Sequence, residues 1–115
     1  MSDNREFWKA ADKLLSSGKI IIDRPRGSRH PKYRDTVYEL DYGYIDGSSS
    51  MDGAGIDVWR GTSGINAVDA MIVTVDLGKL DSEIKLLIGC TEDEMAAVYE
   101  FHNRTEFMKG LLIKR

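Results

Sequence analysis

From Tyr38 to Trp59 the chain reads YELDYGYIDGSSSMDGAGIDVW, two aromatic or β-branched runs separated by a stretch too rich in glycine and serine to extend either. A chain with this segment at its centre is committed to short strands joined by glycine-rich connections. The segment carries chemistry as well. In the acidic turn Asp52-Gly53-Ala54-Gly55-Ile56-Asp57 the backbone can bend sharply without a Cβ clash, so two carboxylates can aim at one point. Oxygen donors converging in this way suit a divalent cation.

The remaining elements follow from periodicity. Phe7, Trp8, Ala11, Leu14 and Leu15 recur at the helical period within Asp3 to Ser17, with Asp3 and Glu6 as a capping pair and Gly18 as the stop. Lys19 to Asp23 (KIIID) predicts a buried strand, and Thr36 to Tyr44 a second. Ile56 to Arg60, Val68 to Leu77 and Ser82 to Gly89 predict three more. Thr91 to Asn103 predicts a second helix, opened by a Thr91/Glu94 capping box, with Met95 and either Val98 or Tyr99 and His102 facing inward. The final run LLIKR can pair as an edge strand. Short strands between two helices predict one α+β domain over residues 1–115, built on a small five-stranded β-barrel, closed or partly closed.

At 115 residues the chain should bury roughly 65% of its unfolded surface, enough for a modest core. Cys90 is the single cysteine, which excludes an internal disulfide and fits a reducing cytosol. The absence of a long apolar run and of a signal-like start predicts a cytoplasmic protein with no membrane partner. The net charge of −3 is unevenly spread: Arg24, Arg26, Arg29, Lys32 and Arg34 cluster ahead of the carboxylate-rich segments.

Guanidinium groups meet phosphate oxygens through paired N–H bonds, and lysine adds a compact charge, so this loop suits a polyphosphate. The acidic net charge argues against nucleic acid as a partner. A third cluster, Asp76-Leu-Gly-Lys-Leu-Asp81-Ser-Glu83-Ile-Lys85, places carboxylates across a hairpin with a lysine that can reach phosphate. Two pairings are open there: Asp76 with Asp81, or Glu83 with Lys85.

The order of these motifs resembles that of soluble family I inorganic pyrophosphatases. Tyr42-Gly43-Tyr44, seven residues, and Asp52-Gly-x-x-Ile-Asp57-Val resemble the family's tyrosine pair and D-G-D-P-x-D-V turn, with Ala54 at the middle aspartate and Gly55 at the proline. Asp23-x-Pro-x-Gly-Ser-Arg29 with Lys32-Tyr33 resembles E-x-P-x-G-S-R-x-K-Y-E, with one residue inserted and Arg34 in place of the last glutamate. The Asp76 to Lys85 hairpin resembles D-x4-D-x-K. A hairpin that the family carries before the tyrosine strand is missing, and its C-terminal Tyr-Lys pair falls at His102-Asn103.

The resemblance implies an OB-like barrel of the pyrophosphatase type, acting in phosphate metabolism as a hydrolase of pyrophosphate or another small phosphoanhydride. It implies Mg²⁺, with Mn²⁺ as a substitute, held by Asp52, Asp57, Asp76, Asp81 and Glu83. Asp57, Lys32 and Tyr42 would be catalytic, and Arg26, Arg29, Lys32, Tyr38, Tyr42, Lys85 and His102 would bind phosphate. A homo-oligomer is also implied. A positioned general base contributes about 10²–10⁴-fold, so Ala54 implies a slow enzyme. The alternative is a pyrophosphate or nucleotide binder that has lost turnover. A further class, a barrel stacking single-stranded nucleic acid on Tyr33, Tyr38 and Tyr42, would show steep salt dependence.

Overall fold

The computed structural model describes residues 3–115. Its elements run α1 (Arg5–Ser16), β1 (Ile20–Arg24), β2 (Asp41–Ile45), β3 (Ile56–Arg60), β4 (Val68–Asp76), β5 (Asp81–Ile88), α2 (Glu92–Phe101) and β6 (Met108–Lys114). The α+β class and both helices match the sequence reading. The five-stranded barrel does not. One six-stranded mixed sheet has the order β1-β2-β3-β5-β4-β6, with β3 and β5 parallel and every other pair antiparallel. The LLIKR run supplies the sixth strand by pairing along β4 from Asp76↔Met108 to Ala70↔Lys114. It thereby becomes one edge while β1 stays the other, and the sheet remains open.

The sheet buries both faces, which is why its central strands are apolar on both sides. Helix α1 covers one face, where Trp8, Ala11 and Leu15 pack on Ile45, Val58, Leu86 and Ile88. Phe7 and Leu14, assigned by periodicity to the same stripe, are exposed. Asp3 does not form a capping box, since the N-cap is Asn4 without a side-chain bond. On the other face α2 covers Trp59, Ala70, Ile72 and Leu87 with Met95 and Val98. Its capping box is formed as expected: Glu94 N–H donates to the Thr91 hydroxyl and Thr91 N–H to the Glu94 carboxylate. Among the described residues no helix is long and apolar enough to cross a membrane.

Gly43 shows why β2 needs a residue without a side chain. A Cβ there would stand 1.8 Å from the Ile21 carbonyl oxygen of β1. Gly43→Ala should therefore force β1 away and cost about 1–3 kcal/mol, read as a lower urea midpoint with an unchanged slope. An unchanged midpoint would mean that the edge strand yields freely.

Candidate functional site

Strand period decides which side chains share the α2 face. Residues two apart point to one side, so Tyr42 and Tyr44 on β2 stand beside Trp59 and Asp57 on β3. On β5, Asp81, Glu83 and Lys85 form a similar row, beside Asp76 and Thr74 of β4. Where α2 stops covering this face, a cleft of about 950 Å³ opens.

Lys85 is at its centre. Its side chain is 7% exposed, and the ammonium donates to the Tyr42 hydroxyl at 2.7 Å, Asp57 Oδ2 at 2.8 Å and Glu83 Oε2 at 3.0 Å. Burial works against its charge, but Tyr42 and Asp57 hold its pKa above the ordinary lysine value. Burial also raises the Tyr42 phenol, outweighing the pull of Lys85, so the ring keeps its proton. A charged lysine between two carboxylates is electrostatically consistent: the two acids would otherwise repel.

The acidic turn folds around Asp52. Its Oδ1 accepts from the Ser50 hydroxyl at 2.5 Å and from Ala54 N–H at 2.9 Å. These bonds lower its pKa, the Ser50 hydroxyl most strongly. Gly53 supplies the positive φ the bend requires. In the β4–β5 hairpin Asp76 Oδ1 accepts from Gly78 and Lys79 N–H groups at 2.9 and 3.0 Å, and Asp76 stands opposite Asp81.

All five candidate metal ligands, Asp52, Asp57, Asp76, Asp81 and Glu83, line this cleft. Asp81 and Glu83 lie on the same face of β5, so both stand toward the cleft. Lys32, Tyr38, Tyr42 and Lys85 line it too. Carboxylate oxygens fit Mg²⁺ or Mn²⁺ in kind. Their spacing does not yet form a cage: among the described residues no three acidic, imidazole or thiol groups stand close enough to hold one ion. Lys85 supplies the positive charge between Asp57 and Glu83 instead.

Two arginine assignments are displaced. Arg26 and Arg29 do not line the cleft. Arg29 turns its guanidinium to the Arg34 carbonyl, and Arg26 is tied through its backbone N–H to Asp41. Arg24 takes their place: its guanidinium donates to the Tyr38 hydroxyl and sits 5.4 and 5.8 Å from the Tyr38 and Tyr42 ring centres. Reading KIIID as a strand that ended at Asp23 put Arg24 in the loop. Strand period alone would set Arg24 with Ile20 on the α1 face; the bulge between Ile22 and Arg24 breaks that period and pairs Arg24 with Tyr42 on the cleft side.

His102 borders the cleft, but its ring nitrogens are already partnered within the fold. It is 3% exposed, accepts from Trp59 Nε1–H at 3.1 Å through Nε2, and sets Nδ1 against Met108 Sδ at 3.4 Å. Burial, with the Lys85 charge nearby, pushes its pKa down to about 3. The imidazole is a neutral core group with both nitrogens turned inward, so it offers no charge to a phosphate.

No family model matches the chain, and no curated protein sequence matches it. Solved structures do share its fold. An inorganic phosphatase from Anaplasma phagocytophilum superposes with a TM-score of 0.55 at 14% identity, over 83% of this chain and 81% of that one. An inorganic pyrophosphatase from Neisseria gonorrhoeae superposes with a TM-score of 0.50 at 16% identity, over 84% of this chain and 75% of that one. At these identities the likeness is one of fold.

Proposed function

We propose that this protein, whose fold is that of inorganic pyrophosphatases, hydrolyses pyrophosphate or a related small phosphoanhydride with a divalent metal. One observation carries the reading. The five carboxylates singled out by motif order, from two separate segments, line one cleft together with Lys32, Tyr42 and Lys85. Phosphoanhydride hydrolysis requires this mixture of negative groups for cations and positive groups for phosphate.

Asp52, Asp57, Asp76, Asp81 and Glu83 would hold Mg²⁺ or Mn²⁺, which when bound supplies charge neutralisation and an activated water. Lys32 would grip the phosphoryl oxygens, joined by Arg24, and Lys85 would join them by giving up one of its three bonds to Tyr42, Asp57 and Glu83. The protonated Tyr42 hydroxyl, held by Lys85, would orient that ammonium toward substrate. Asp57 would accept the proton that Ala54 cannot.

Phosphate release from pyrophosphate with Mg²⁺ or Mn²⁺ tests the reading. Asp57→Asn should lower release by about 10²-fold or more, and Ala54→Asp, which returns a carboxylate to an exposed position of the turn, should raise it. An Asp57→Asn enzyme as fast as the wild type would remove Asp57 from the chemistry. The alternative, a binder without turnover, is favoured by Ala54 and by the neutralisation of Asp57 and Glu83 by Lys85. It predicts binding of imidodiphosphate with no release from pyrophosphate.

A further inference from the structure

The cleft is larger than a pair of phosphoryl groups needs. Sites of about 300–1,000 Å³ take ligands of drug size, and this one reaches the upper end. It is also two-ended. Beyond the charged end around Lys85, a line of rings runs outward from Tyr42 to Tyr38, His30 and Tyr33, with successive centres 5.3, 6.3 and 5.0 Å apart. A line of cations accompanies it: Lys85 beside Tyr42, Arg24 over Tyr38 and Tyr42, and Lys32 with its ammonium 5.5 Å from the Tyr33 ring centre.

The outer end is held in shape by the backbone. Gly27 N–H donates to the Tyr38 carbonyl, Tyr38 N–H to Ser28, and His30 N–H to Thr36, which closes a small hairpin. At its tip the Lys32 and Tyr33 N–H groups both donate to His30 Nδ1, at 3.0 and 3.1 Å. A neutral His30 is required for this, and burial with the charges of Arg24, Lys79 and Lys32 keeps its pKa low. Tyr33 is therefore presented on a tied turn, yet its residue is 58% exposed. An aromatic ring presented on a tied turn and largely open to solvent offers a stacking surface.

We infer that the ligand of this cleft is a nucleoside triphosphate, its phosphates lying along Lys85, Arg24 and Lys32 and its base stacked on Tyr33. The inference rests on the phosphate-binding reading above and names the substrate class of that same site. Pyrophosphate would engage the cations alone and leave the exposed ring of Tyr33 uncovered.

The test is calorimetric titration of the wild type, Tyr33→Ala and Tyr33→Phe with imidodiphosphate and with the non-hydrolysable β,γ-imido analogues of ATP and GTP and β,γ-methylene analogues of CTP and UTP, all with Mg²⁺. At least one nucleotide should bind about tenfold or more tightly than imidodiphosphate. Base stacking predicts that Tyr33→Ala weakens that nucleotide by roughly 5- to 100-fold, that Tyr33→Phe restores it, and that imidodiphosphate stays within about twofold. Because the ring is exposed, the substitution leaves the core intact. Nucleotides no tighter than imidodiphosphate, or an equal loss for both ligands in Tyr33→Ala, would overturn the base site while leaving the pyrophosphate reading in place. Failure of every ligand to bind would overturn both.

Discussion

Replacing Lys85 with methionine should destabilise the protein by about 3 kcal/mol, the lower end of the range for stripping one partner from a buried ion pair. The lower end applies because the Asp57 and Glu83 side chains remain 32% and 28% exposed and keep part of their hydration. Methionine preserves the volume of the lysine stem, so packing changes little. What it removes is the charge between two carboxylates and the donor to Tyr42. The control is Lys85→Met combined with Asp57→Asn and Glu83→Gln, which takes the repulsion away and should recover most of the loss in urea midpoint. A single variant within about 0.5 kcal/mol of the wild type, or a triple variant no better than the single, would show that Lys85 does not hold the acids together. On the proposed reading Mn²⁺ should raise the midpoint of Lys85→Met more than that of the wild type, because the ion meets no competing ammonium.

Acid should act through His102. Its folded pKa of about 3 lies below the unfolded value of 6.5. Above pH 6.5 both states are neutral and its contribution is fully present. As pH falls toward 3 the unfolded chain takes up the proton first, and the contribution is lost. Between pH 7 and 4 the loss attributable to this residue is about 3 kcal/mol. His102→Gln keeps an acceptor for Trp59 but cannot titrate, so its stability profile should be flatter than the wild type's by about that amount over the same interval. In NMR the His102 ring protons should not shift between pH 7 and 4.5. A midpoint near 6 would show that the imidazole reaches solvent.

The cleft was legible where local rules suffice. Motif order singles out Asp52, Asp57, Asp76, Asp81 and Glu83, and a strand period of two explains why Asp81, Glu83 and Lys85 belong together. Two placements were not legible along the chain, for one reason. Whether Arg24 or Arg26 faces inward depends on a bulge at the end of β1. Whether His102 is a ligand or a core group depends on Trp59 and Met108, which approach it from β3 and β6. Trp8 and Trp59 are core and Phe107 is exposed, a division set by what packs above each ring.

By itself the sequence determined the α+β class, both helices, the α2 capping box and the identity of the acidic residues, because each depends on spacing along the chain. Only the tertiary structure decided that the sheet stays open with β6 at its edge, that Lys85 stands between Asp57 and Glu83, and that Arg24 joins the cleft while Arg26 and Arg29 do not. Those outcomes turn on which strands meet and how far one bulge rotates a side chain, and both are settled by contacts between residues far apart in the chain.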